Sequence, residues 1–139
     1  MTNLRVEFER MKGGVVIDGA AMEPQPGLKL FSRRGRVARL STNGYISCPV
    51  EFATSGRYGF EVTARGTQAA GEYPIVRLSI GDRSIGERQL GGEGWGTLKF
   101  EAEVEKGVHE VRVEFINDLW RPPEDRNLEI LQLRVYKLR

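Results

Sequence analysis

From Tyr58 to Phe115 the apolar side chains recur at every second position in four successive segments, and this alternation restricts the fold more than any other property of the chain. In YGFEVTA the set on one parity is Tyr58, Phe60, Val62 and Ala64, and in IVRLSI it is Val76, Leu78 and Ile80. TLKFEAEV places Leu98, Phe100, Ala102 and Val104 together, and HEVRVEF does the same with Val111, Val113 and Phe115. Successive side chains of a strand point to opposite faces, so the pattern describes strands with one face on a core and one in water. That is the habit of antiparallel sheets. Between the segments lie GTQAAGEYP, GD, GGEGWG and EKG, turn material with glycine where positive φ is needed.

The first half alternates less cleanly, with strands expected at LRVEFE, GVVI, LKLF, RVARL and GYISCPVEF. In NLEILQLRVYKL, Leu128 and Ile130 occupy one parity and Leu131, Leu133 and Val135 the other, a switch that a β-bulge or two-sided burial would produce. There is no amphipathic helical pattern of useful length. The expected class is therefore all-β, a two-sheet antiparallel β-sandwich of the jelly-roll type.

At 139 residues with 40% apolar side chains, the chain is long enough to bury one core without disulfides, so a single domain over 1–139 is expected. Its 21 basic and 19 acidic residues nearly cancel, which argues against nucleic acid or an anionic membrane as partner. One cysteine, Cys48, and one histidine, His109, leave no thiolate or multi-histidine zinc site. The sequence has no apolar run of membrane-spanning length, and the opening MTNLRVEFER carries no signal-peptide core.

The stretch NDLWRPPEDRN, Asn117 to Asn127, is the chemically dense part of the chain: three carboxylates, two amides, two arginines, an indole and a Pro-Pro pair between two strands. A chain reversal alone needs only two to five residues. Calcium takes six to eight oxygen ligands, and Asp118 and Asp125, with Glu124 as a third carboxylate or a carbonyl donor, have the chemistry for such a site. Pro122 and Pro123 each fix a φ angle and lower the entropy lost when a loop wraps an ion. Trp120 offers the flat apolar face on which sugar rings stack. The plainer reading is that Asn117 and Asp118 cap a turn and Arg126 pairs with a surface carboxylate. The residues alone leave both readings open.

FINDLWRPPEDRNLEILQLRV resembles the C-terminal motif of calcium-dependent xylan-binding carbohydrate-binding modules of families 36 and 60, a Phe-x-Asn-Asp pair, a variable loop and Asp-Arg-Asn-Leu before the last strand. Upstream, YGFEVTARGTQAAGEYPIVRLSIGD resembles the segment of the same modules that runs from a Tyr-x-x-x-Val-x-Ala-x-Gly strand into a Gly-Glu-aromatic-Pro turn. The resemblance implies a non-catalytic, extracellular module that binds xylan or another β-linked plant glycan, with calcium as cofactor and a glycoside hydrolase attached in the full-length protein. It implies Asp118 and Asp125 as side-chain ligands, Glu124 and Glu72 as further ligands, and Tyr73 and Trp120 flanking the sugar. Asn117, Arg126 and Asn127 then brace the substrate-binding loop.

Glu7 and Glu9 match the Glu-x-Glu that holds a second, structural calcium in related modules, but Leu131 stands where the acidic partner is expected. Thr67 likewise replaces an acidic or polar residue of many relatives. Arg33, Arg34, Arg36 and Arg39 form a short basic segment that reads more simply as edge protection than as a contact for uronic acids, nucleic acid or protein. His109 reads as a strand-end residue with a hydrogen-bond partner, Cys48 as a small buried side chain, and Trp95 as either a stacking surface or a loop anchor. An enzyme is the weaker alternative, because the chain has no Gly-x-Ser-x-Gly elbow and no histidine placed for a triad. A structural module that uses calcium only to order the loop remains the main competitor.

Overall fold

The computed structural model describes residues 4–6 and 14–138, so Glu7 and Glu9 lie outside the described residues. The first strands are β1 (Leu4–Val6), β2 (Val15–Asp18), β3 (Glu23–Pro24), β4 (Phe31–Arg34), β5 (Val37–Leu40), β6 (Gly44–Phe52) and β7 (Gly56–Gly66). They continue with β8 (Ile75–Ile80), β9 (Arg83–Gln89), β10 (Gly96–Val104), β11 (Gly107–Phe115), β12 (Leu119–Arg121), β13 (Glu124–Arg126) and β14 (Leu128–Lys137). One sheet runs β1–β6–β11–β8–β9 with β3 also on β6, and the other runs β10–β7–β14–β5–β4 with β2 also on β14. β12 and β13 form a separate hairpin. The expected all-β sandwich is what the chain forms; the β1–β6 pair is the parallel exception among its ladders.

Register explains why the alternation in the sequence works as a core. Tyr58, Phe60 and Val62 of β7 stand opposite Ala102, Phe100 and Leu98 of β10, so the inward sets of the two strands coincide. On the other sheet Val113 of β11 faces Ile46 and Leu78, and Val111 faces Cys48 and Ile80. Phe52 and Tyr58 meet edge to face at 4.8 Å, and the buried Tyr58 hydroxyl donates to the Thr54 carbonyl at 2.7 Å. Buried phenol groups need such a partner.

The parity switch in the last strand is a bulge: the β14–β7 register shifts between Ile130 and Gln132. Leu128 and Ile130 before it and Leu133 and Val135 after it are fully buried, while Leu131 is half-buried in the slip. Two expectations change. LKLF contributes only Phe31 to a strand, because Leu28 closes a turn onto Gln25 and Leu30 adopts a positive φ of 57° with 68% of its surface exposed. Conversely RSIGERQ, which shows no clean alternation, forms β9 at a sheet edge where neither face is well covered.

The pairings put several strand ends together. Gly66 at the end of β7 stands opposite Leu128 at the start of β14, and Phe115 at the end of β11 stands opposite Val76 and Gly44. Loops 67–74 and 116–127 therefore emerge from one end of the sandwich.

A candidate cation site between two loops

Three side chains bind these loops to each other. Arg126 is 5% exposed, and its guanidinium donates from Nε to the Glu72 carbonyl at 2.8 Å and from its two Nη groups to the carbonyls of Asn117 and Ala69. Asn117 accepts from the Ile75 N–H at 2.7 Å and donates to the Tyr73 carbonyl at 3.0 Å. The Thr67 hydroxyl donates to the Asp125 carbonyl at 2.6 Å and accepts from the Asn127 N–H at 3.0 Å. A buried guanidinium that serves three carbonyls fixes their positions far more firmly than a surface ion pair would. Asn117 and Arg126 thus hydrogen-bond across the two loops by their side chains, and Asn127 does so by its backbone N–H.

Against this frame stand the two aspartates. Asp118 is half-buried, its N–H donates to Asn43 Oδ1 at 2.7 Å, and its own Oδ1 is buried without a hydrogen-bond partner among the described residues. Burial first, and the Asp125 charge second, push the Asp118 pKa up, opposed by the Leu119 N–H and the Arg126 charge. Asp125 Oδ2 accepts from Asn127 Nδ2 at 3.0 Å, and the Asn127 Oδ1 is itself buried and unpartnered among the described residues. A like charge beside a carboxylate and a buried oxygen without a partner are both relieved by a hard cation. The aspartates offer the hard oxygen donors that calcium takes.

Glu124 and Glu72 carry other partners. Glu124 accepts from Gln68 Nε2 at 2.9 Å and from the Ala70 N–H at 3.0 Å, contacts that hold its pKa down, the Ala70 N–H first. Glu72 accepts from Gln89 Nε2 at 2.7 Å. Among the described residues no group of three or more His, Cys, Asp or Glu side chains is placed to hold a metal ion.

Trp120 pairs with Asp125 across the β12–β13 hairpin and is 72% exposed. Tyr73 is instead half-buried and packs on the core. Asn43, Gln68 and the bracing role of Thr67 had no sequence signal, since their partners in the 116–127 loop lie 56 to 75 residues away.

Most of the remaining candidates make contacts of their own away from the two loops. Arg33 donates to the carbonyls of Ala20 and Met22, Arg36 pairs with Asp18 at 3.1 Å, and Arg39 lies 3.6 Å from Glu129. His109 Nε2 meets the Glu105 carbonyl at 2.8 Å, and its ring edge rests on Phe52. Cys48 is buried, and desolvation, with a lesser contribution from Glu110, pushes its thiol up to about 12. Such a thiol is inert.

The family model for CBM60, the Ca-dependent xylan-binding carbohydrate-binding modules, matches residues 59–137. The chain belongs to this family. The matched segment contains loops 67–74 and 116–127, and the modules of such families bind polysaccharide without catalysing its cleavage. No curated protein matches the chain. The module is similar to the CBM36-1 domain of a multidomain xylanase from the hindgut metagenome of Trinervitermes trinervoides, with 16% identity over 87% of this chain and 94% of that one and a TM-score of 0.69. It is similar to a CBM36 solved in complex with calcium and xylotriose, with 15% identity, 87% and 98% coverage and a TM-score of 0.65. It also matches 28% of a family 43 arabinoxylan arabinofuranohydrolase from Bacillus subtilis, covering 99% of this chain at 10% identity and a TM-score of 0.64. These identities establish a common fold.

Proposed function

We propose that the module binds xylan through a calcium ion held by Asp118 and Asp125, with Trp120 covering the sugar beside it. The observation that carries this reading is the buried, unpartnered Asp118 Oδ1 next to the Asp125 charge. When bound, calcium supplies open coordination positions that vicinal sugar hydroxyls fill, so a neutral glycan needs no complementary charge on the protein. Asn127 orients Asp125 through Oδ2, Thr67 holds the Asp125 backbone, and Arg126 fixes the carbonyls on both loops.

Glu72 and Glu124 act in this reading through their loop positions rather than as carboxylate ligands, and Tyr73 shapes the floor of the site rather than its sugar face. The domain spans 1–139 as a single unit, works outside the cell, and serves a glycoside hydrolase to which it is attached. Electrophoresis through gels containing soluble xylan tests the reading: calcium should retard the protein, and EDTA, Asp118→Ala or Asp125→Ala should release it. A module that uses calcium only for loop order would gain thermal stability from the ion and show no retardation in any glycan gel.

A further inference from the structure

Beside the Asp125 loop, on the outer face of the second sheet, lies an open cavity of about 230 Å³ lined by Arg39, Arg65, Thr67, Glu93, Asn127 and Glu129. We propose that this cavity is a second glycan subsite, which takes one uncharged sugar ring of the polysaccharide through hydrogen bonds to its hydroxyls. The proposal rests on the polysaccharide-binding reading above and adds a position that the cation does not serve.

Its floor is built by register. Glu129 of β14 stands opposite Arg39 of β5 on one side and Arg65 of β7 on the other. Arg65 Nε donates to Glu129 Oε1 at 2.6 Å, and Arg39 Nη1 lies 3.6 Å from Glu129 Oε2. The Arg65 guanidinium also lies over the Trp95 ring, 4.4 Å from its centroid. Trp95 is thus a positioning residue that holds one guanidinium plane against the cavity wall.

What the cavity retains is hydrogen-bonding capacity. Among the described residues the Arg65 Nη groups, the Arg39 guanidinium and the Glu93 carboxylate make no hydrogen bond. Planar donors and acceptors of this kind suit hydroxyl groups, each of which both donates and accepts. Two arginines against two glutamates leave no net charge to select an anion. The volume falls below the roughly 300–1,000 Å³ of sites for drug-sized ligands, which suits one ring rather than an oligosaccharide. Thr67 and Asn127 line the cavity and also hold Asp125, so one continuous chain has reason to occupy both places.

Calorimetry of the calcium-loaded module with xylobiose and with xylohexaose tests this. The longer ligand should bind about tenfold more tightly, the worth of one or two net hydrogen bonds. Arg39→Ala and Glu93→Ala, both at exposed positions, should each remove most of that gain, with calcium affinity and thermal unfolding read in parallel to confirm an intact loop and fold. A gain of equal size in the variants and the wild type overturns the subsite while leaving the calcium site standing. A tighter fit for a glucuronate-substituted xylo-oligosaccharide, lost in Arg39→Ala, overturns the assignment to an uncharged ring. Failure of the wild type to bind either ligand overturns the polysaccharide reading itself.

Discussion

Trp120 stands directly opposite Asp125 in the β12–β13 hairpin. Residues that face each other across an antiparallel pair project to the same side, with Cβ atoms about 5 Å apart, so the exposed indole rises beside the carboxylate proposed to hold the cation. Trp120→Ala should weaken xylan binding by about tenfold or more, as loss of an anchoring aromatic does. Because the side chain is 72% exposed, unfolding free energy should change by less than about 0.5 kcal/mol, and calcium affinity should stay the same. Calorimetry with calcium alone and then with xylan separates the two effects.

Arg126 is the strongest link between the loops. Arg126→Met takes the guanidinium donor from the carbonyls of Glu72, Asn117 and the buried Ala69, and should destabilise the module by roughly 1–3 kcal/mol in urea titration. Arg126→Lys should recover little of this, because an ammonium group lacks the planar fork that reaches carbonyls on both loops.

Gly66 offers a different probe of the same frame. A Cβ there would lie 2.4 Å from the Asn127 carbonyl oxygen and 2.5 Å from Pro74 Cγ, neither of which is the free end of a flexible side chain. Gly66→Ala should therefore cost about 1–3 kcal/mol in chemical denaturation and lower calcium affinity by displacing Asn127, which orients Asp125.

The pH dependence of the calcium-free module follows from Asp118. Burial and the Asp125 charge raise its pKa above the value of about 3.9 expected in the unfolded chain, so the folded state holds that proton more tightly. The Asp118 contribution to stability is accordingly present at low pH and lost as pH rises through the window between those two values. Glu124 acts in the opposite sense: its lowered pKa gives a contribution present above its unfolded value and lost as pH falls. In EDTA, Asp118→Asn should gain stability relative to wild type as pH rises across the Asp118 window, as read by urea denaturation. In excess calcium the order should reverse near neutral pH, because the ion needs the ionised carboxylate.

The sequence carried the sandwich because burial has a period of two in β7, β8, β10 and β11, where one face meets the core. It carried the bulge at Leu131 as a change of parity, and it pointed to Asp118 and Asp125 because both sit in one dense loop. β9 escaped detection because an edge strand exposed on both faces has little burial to alternate. The hydrogen-bond partners of Glu72 and Glu124 were not legible for a related reason: nothing in a loop sequence marks which distant amide a carboxylate accepts from, here Gln89 and Gln68. Thr67 and Asn43 brace the site across 58 and 75 residues, a separation that no local pattern records.

The most direct test is calorimetric titration of xylohexaose into the module, first in calcium and then in EDTA. With Asp118 and Asp125 holding a cation that meets the sugar hydroxyls, binding should be measurable in calcium and absent in EDTA, and Asp118→Ala should abolish it in calcium. Equal affinity with and without the chelator would contradict the account.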